Sequence, residues 1–255
     1  MSNIPFMYGI ELEGRDIPPV KLTKTQEEVC RRIISIAKFF FRGEYGFLKI
    51  PFRGFLLEGP PGNGKTEIAK QVARKLDLSL RNVNFKLIDS AEIAAPQWGR
   101  AEENLKRQFI IDDPNKHLIL VLDDVDCLLI KRGHEIAREW HYSINALLFH
   151  QLDNIDPSKI IVIATTNRPS LIDYALRSRL FTIKIPKLPL SELREIAAEM
   201  LKASLSLQIH SHQDVLIDEI LSEIMNKLKS KKNPSIRDVQ HFLIEECVKR
   251  GVWTT

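Results

Sequence analysis

The chain has 255 residues, enough for one large α/β domain plus a smaller partner and too few for a third sizeable one. Hydrophobic residues make up 44% and charged residues 27%, an ordinary globular composition that excludes a disordered or fibrous chain. The formal charge of +4 is spread along the sequence apart from Lys229, Lys231 and Lys232, which argues against a dedicated nucleic-acid binder with one basic face.

Residues 1–22 read as irregular, because Pro5, Gly9, Gly14, Pro18 and Pro19 interrupt every period. Val29, Ile33, Ile36, Ala37 and Phe40 recur at helical spacing and predict a helix over about 24–41. Residues 42–54 carry Gly43, Gly46, Pro51 and Gly54 and read as a loop. Residues 55–57 predict a short strand that ends at Gly59, and 65–76 a helix burying Ile68, Ala69, Val72, Ala73 and Leu76. Val83, Phe85 and Leu87 alternate as in a strand. Residues 118–122 and 160–164 are continuous apolar runs, the mark of parallel strands covered on both faces. Phe181, Ile183 and Ile185 alternate again. Beyond Pro186 and Pro189 only helices are predicted, over about 191–207, 213–229 and 235–250, with Ser235 and Asp238 as a capping pair for the last. Strands alternating with helices predict an α/β fold with a parallel sheet and flanking helices. The expected division is 1–188 as a large nucleotide-binding domain and 189–255 as a small helical domain.

Cys30, Cys127 and Cys247 are too far apart for a CxxC pair and odd in number, which predicts a reducing compartment without a disulfide framework. No apolar run reaches the length of a membrane span, and residues 1–8 lack the basic and apolar regions of a signal peptide. A cytoplasmic protein without a membrane partner is expected.

Gly59-Pro60-Pro61-Gly62-Asn63-Gly64-Lys65-Thr66 fits the spacing G-x-x-x-x-G-K-[ST], between an apolar strand and an amphipathic helix. Such a loop must curl several backbone N–H groups toward one anion, which glycine permits, and the following helix aims its positive end at the phosphates. Lys65 can reach the β- and γ-phosphates, Thr66 can place a hydroxyl on Mg²⁺, and Glu67 follows within the same site. After the apolar run 118–122 come Asp123 and Asp124, at the carboxyl end of a strand, where α/β sheets bind ligands. Asp123 is the candidate metal-side carboxylate, and Asp124 the candidate to polarise the attacking water.

Four stretches resemble the classical clade of AAA+ ATPases, in that family's order. Residues 51–58 resemble the strand leading into its P-loop, and 143–155 the helix before its fourth core strand. Ile163-Ala164-Thr165-Thr166-Asn167-Arg168-Pro169 resembles the sensor-1 strand and its exit. Residues 171–180 resemble the rest of the second region of homology. The resemblance implies a five-stranded parallel P-loop sheet with a helical lid, ATP and Mg²⁺ as cofactors, and ATP hydrolysis. It makes Asn167 the sensor-1 residue, Arg179 the main arginine finger and Arg177 a second one, reaching the nucleotide of the neighbouring copy. A homo-oligomer, a hexameric ring, follows from that implication. The family pattern has glutamate where this chain has Asp124, one methylene shorter, so slow hydrolysis stays open. Arg237 is either a sensor-2 residue or an exposed arginine in a first helical turn.

Classical rings grip polypeptide with an aromatic residue after the second core strand, and Trp98 is the matching candidate, one position beyond the family's usual place. Residues 131–138 form either a second pore loop or a solvated turn. The favoured expectation is a ring that remodels, unfolds or translocates polypeptide. The alternatives are a loader or packaging ATPase acting on nucleic acid and a slowly hydrolysing nucleotide-gated scaffold.

Overall fold

A computed structural model of the chain describes residues 9, 11–45, 52–89, 100–127, 139–205 and 213–252. The chain forms two compact units. The first comprises Met1–Val20, Glu28–Gly59 and Lys65–Ile185, and the second Lys21–Glu27, Pro60–Gly64 and Pro186–Thr255. Contacts rather than chain order set these units, so two short segments of the N-terminal half cluster with the C-terminal helices.

The first unit is built on a six-stranded sheet. Its strands are β1 (Glu11–Glu13), β2 (Gly54–Glu58), β3 (Val83–Asp89), β4 (His117–Asp123), β5 (Ile160–Thr166) and β6 (Phe181–Lys184), in the order β1-β3-β4-β5-β2-β6. Five strands run parallel, as expected, and β1 adds to the edge of β3 in the antiparallel sense. Helices α2 (Lys65–Leu80), α3 (Arg100–Gln108), α4 (Glu139–Asn154) and α5 (Tyr174–Arg179) belong to this unit, and α1 (Lys24–Phe41) enters it from residue 28. Every residue of β5, and all of β4 but His117, is buried. Both strands are Ile-, Leu- and Val-rich because helices cover both faces of a parallel sheet. Leu120, Leu122, Val162 and Ala164 share one core with Leu148 and Leu152 of α4 and Leu176 of α5. The register brings the strand ends level: Glu58 lies opposite Thr166 and Lys184, and Asp89 opposite Asp123. The sheet thereby gathers one residue set at its carboxyl edge.

Residues 1–22 are not irregular throughout, as the sequence suggested. Glu11 pairs with Lys86 (3.2 Å) and accepts from Asn84 (2.5 Å), while Glu13 pairs with Lys116 (2.9 Å). The chain then runs along α2, where Asp77 accepts from the Arg15 amide, Arg74 donates to Ile17 and Gln71 to Pro18. A three-residue strand with two acids has no apolar alternation to reveal it; its partners lie more than 70 residues downstream.

Gly54 opens β2 one residue earlier than the apolar pattern indicates. Its φ is +149°, and a Cβ there would sit 1.9 Å from the Val162 carbonyl oxygen of β5. Backbone cannot yield as a flexible side chain does. Gly54→Ala is expected to destabilise the fold by about 4 kcal/mol or more, read by denaturant unfolding.

The second unit packs α6 (Leu190–Leu205), α7 (Gln213–Lys229) and α8 (Ile236–Lys249) around Leu193, Ala197, Ile220, Ile224, Val239 and Leu243. Ser235 and Asp238 form the expected capping box, satisfying two amides that the start of α8 leaves without helical partners. Cys30 and Cys247 are free and buried. Among the described residues, no helix is long and apolar enough to cross a membrane.

Candidate nucleotide site

The P-loop begins where β2 ends. Gly59 lies so close to β6's exit that a Cβ would meet the Ile185 carbonyl oxygen at 2.7 Å. Gly62 and Gly64 adopt φ of +78° and +77°, the left-handed conformations that turn a loop back on itself and that L side chains resist. Residues 60–64 belong to the second unit, where Gly62 has no room for a side chain: a Cβ would lie 2.7 Å from Ser235 Oγ and 3.0 Å from Arg237 Cβ. Asn63 is buried; its carbonyl accepts from Gln26 and its amide group donates to the Pro186 carbonyl (3.3 Å). Pro61 is exposed and Pro60 half-buried.

Lys65 and Thr66 start α2 in the first unit, and there the predicted acids and amide converge on them. Lys65 Nζ donates to the Gly59 carbonyl (3.0 Å) and to Asn167 Oδ1 (2.5 Å). Asn167 Nδ2 in turn donates to Asp124 Oδ1 (2.7 Å). Thr66 Oγ1 donates to Asp123, 2.8 and 3.0 Å from its two oxygens. Glu67 accepts from Gln71 (2.8 Å), one turn along α2.

Two residues that sequence reasoning did not assign complete the set. Thr165 Oγ1 lies 2.6 Å from Asp123 Oδ1 and accepts from the Asp124 amide (3.0 Å). Asp126 accepts from Thr166 Oγ1 (3.0 Å) and the Asn167 amide (3.3 Å), and so fixes the turn that carries Asn167. Both stand inside stretches already singled out, but spacing alone gives no reason to choose them over their neighbours.

Asp124 has φ +48°, one of two non-glycine residues among those described with a left-handed backbone. That conformation costs about 1 kcal/mol and persists only where surroundings enforce it. Burial raises the Asp124 carboxyl above the usual aspartate range, the neighbouring charges of Asp123 and Asp126 raise it further, and Lys65 opposes them. A carboxylate held at higher basicity beside a lysine and an amide is suited to orient a water and take its proton.

The Thr66 hydroxyl and Asp123 carboxylate are hard oxygen donors, the chemistry that Mg²⁺ takes. No cluster of three or more His, Cys, Asp or Glu side chains suited to a metal occurs among the described residues. This fits a cation that needs phosphate oxygens to complete its shell, since Mg²⁺ is usually held by one or two carboxylates plus substrate phosphates.

A family model, the ATPase family associated with various cellular activities (AAA), matches residues 55–188. The chain belongs to the AAA ATPase family. It is 38% identical over 128 residues to Cell division cycle protein 48 homolog of Archaeoglobus fulgidus, which covers 50% of this chain and 17% of that protein. It is 32% identical over 194 residues to the A-like 1 form of the katanin p60 ATPase of Oryctolagus cuniculus, covering 72% of this chain and 37% of that protein. Spastin of Drosophila persimilis is 29% identical over 191 residues, covering 74% and 23%. The chain thus spans well under half the length of these relatives. One chain of the solved E. coli MS115-1 HORMA:CdnC:Trip13 complex shares the fold, with a TM-score of 0.63 at 14% identity over 94% of this chain and 97% of that one. The AAA ATPase assignment makes this a nucleotide-binding ATPase domain.

The arginines of the AAA domain are engaged within the chain. Arg179 makes a two-pronged ion pair with Asp153 (2.8 and 2.7 Å), donates to the Ala175 carbonyl and lies over the Phe149 ring at 5.0 Å. The pair holds the Asp153 carboxyl below its ordinary range. Arg177 pairs with Glu58, the last residue of β2, and donates to the Pro169 carbonyl (2.9 Å). It borders a cavity of about 580 Å³ with Glu58, Gly59, Tyr174 and Lys184. Arg237 is exposed in the first turn of α8, beside Gly62. Trp98 and residues 131–138 lie outside the described residues.

Proposed function

We propose that this AAA domain hydrolyses ATP with Mg²⁺ and, as part of a homo-oligomeric ring of six copies, couples hydrolysis to remodelling, unfolding or translocation of a polypeptide in the cytoplasm. The observation that carries the hydrolytic reading is the convergence of Lys65, Asn167 and Asp124 in one hydrogen-bonded line, beside the Thr66–Asp123 pair. Bound Mg²⁺·ATP supplies the reacting phosphoryl group and a cation that neutralises its oxygens. Lys65 exchanges its internal acceptors for phosphate oxygens, and Thr66 with Asp123 holds the cation's protein side. Asp124 orients the attacking water and accepts its proton, and Asn167 keeps that water and the terminal phosphate in register. The six-copy ring is supported by the AAA assignment, and the name of the katanin relative describes one component of an assembly.

In that ring Arg179 leaves Asp153 and serves the neighbouring copy's nucleotide, where a planar guanidinium spreads transition-state charge. Arg177 is the second arginine of that stretch and must part from Glu58 to act likewise. Arg237, beside the P-loop, serves as the sensor-2 contact, and Trp98 grips polypeptide in the pore. Arg179→Ala is expected to keep ATP-analogue affinity within about threefold while turnover falls by about 1,000-fold or more. Unchanged turnover would remove Arg179 from that role.

The substrate class is tested by measuring turnover with unfolded polypeptide, DNA or RNA added. Stimulation by polypeptide alone is expected. Stimulation by nucleic acid alone, falling steeply with salt, points to a loader or packaging ATPase instead. A specific observation favours a slow scaffold as the second reading: Asp124 is one methylene shorter than glutamate and its carboxyl is raised. Tight ATP binding without detectable turnover, with or without polypeptide, would favour it.

A further inference from the structure

We propose that Thr165 is a positioning residue for hydrolysis, its hydroxyl tying Asp123 to Asp124 and holding Asp124 where a short carboxylate can reach the reacting water. The inference rests on the ATPase reading above, and goes beyond it in naming what makes aspartate workable at that position.

The roles in this arrangement are determinate. An amide N–H can only donate and an ionised carboxylate can only accept. The Thr165 hydroxyl therefore gives its proton to Asp123 Oδ1 (2.6 Å) and receives the Asp124 N–H on a lone pair (3.0 Å). Thr165 is fully buried on β5, and the register that sets Leu122 opposite Ala164 brings the next residues of both strands side by side. Threonine is branched at Cβ and stiff at its first torsion, so the hydroxyl stays where the strand places it.

Asp124 needs such a hold. Its left-handed backbone, at φ +48°, is one that aspartate enters only when its surroundings enforce it. Thr165 grips its amide, and Asn167, two residues further along the same exit from β5, grips its carboxylate (2.7 Å). Asp124 is thus fixed at both ends by one segment. Without the hydroxyl the amide loses its acceptor, the backbone can relax to the right-handed region, and the carboxylate moves away from its place. Asp123 keeps Thr66 as a donor in that event, so the metal side is less affected.

Three variants of the full chain test this. Thr165→Val keeps the shape and removes the hydroxyl; a carboxylate displaced by about 1 Å lowers kcat roughly 100-fold, with KM and ATP-analogue affinity within about threefold of wild type. In the nucleotide-free protein, hydrogen exchange at the Asp124 amide should accelerate by about 10-fold or more in Thr165→Val, as a lost amide bond requires. Thr165→Ser, which restores the hydroxyl, should recover both readouts to within about threefold. If the valine variant does not fold, Thr165→Ala removes the same hydroxyl without an added methyl and gives the same comparison. Wild-type kcat in the hydroxyl-free variant, unchanged exchange at Asp124, or a loss in Thr165→Ser as large as in Thr165→Val would overturn the inference. Asp124→Asn separates the two readings. If it loses turnover while Thr165→Val does not, only the positioning role fails. If Asp124→Asn turns over normally, the assignment of Asp124 itself fails.

Discussion

Lys65→Ala is expected to weaken ATP binding by at least about 100-fold, or about 2.7 kcal/mol, and to remove measurable turnover with it. Lys65 is buried, and its ammonium sits at the mouth of the P-loop between the Gly59 carbonyl and Asn167. A compact cation held there by two neutral acceptors is ready to exchange them for phosphate oxygens, whose negative charge binds it more strongly. Truncation removes that charge and leaves two acceptors without their donor. Calorimetry with a non-hydrolysable ATP analogue measures the change directly. Affinity within threefold of wild type would mean that the phosphates do not bind here, and the functional reading would fail with it.

Asp124→Asn is expected to do the reverse: affinity stays, and turnover falls by about 100- to 10,000-fold, the range that a general base contributes. The substitution keeps the side-chain shape and an oxygen to accept from Asn167, so a loss reports on charge and basicity rather than on packing. The pH dependence follows from the same residue. The active form is the carboxylate, and burial together with Asp123 and Asp126 raises its ionisation above the ordinary aspartate range. Turnover should therefore fall on acidification at a higher pH than an unperturbed aspartate would dictate. The stability linkage has the opposite sign. Because the folded state holds this proton to higher pH than the unfolded chain, ionising Asp124 costs folding free energy. Its contribution is more favourable below the ordinary aspartate range and diminishes as pH rises through the window up to the raised value. Asp124→Asn should remove that slope from the unfolding free energy of the nucleotide-free protein, and a wild-type slope in the variant would discount the shift.

Both residues were legible in the sequence because their signals are local. A P-loop is a contiguous run whose glycines answer to backbone torsions, and two acids after an apolar run are read from neighbours alone. The central strands declared themselves by composition, since β4 and β5 are apolar almost throughout. The last helix declared itself by its cap, because Ser235 and Asp238 stand three residues apart and satisfy each other's backbone amides. Strand β1 did not, since its hold on the sheet comes from Lys86 and Lys116, remote in the chain. Thr165 and Asp126 were missed for a related reason. A threonine and an aspartate are ordinary in sequence, and become informative only when a hydroxyl is found 2.6 Å from one acid and bonded to the next acid's amide.

The arginines show the same limit from the other side. Their positions in the second region of homology were plain, but not the carboxylates that hold them. Asp153 lies on α4 and Glu58 at the end of β2, and neither spacing nor composition links them to Arg179 and Arg177. By itself, the sequence determined the fold class, the phosphate loop and the acids after β4, because torsional demand, apolar periodicity and contiguous motifs are properties of neighbouring residues. Only the tertiary structure decided that Asn167 bridges Lys65 to Asp124, that Thr165 joins the two acids, and which carboxylates hold the arginines. Those bonds depend on strand order and register, which bring residues more than 40 positions apart to one edge of the sheet.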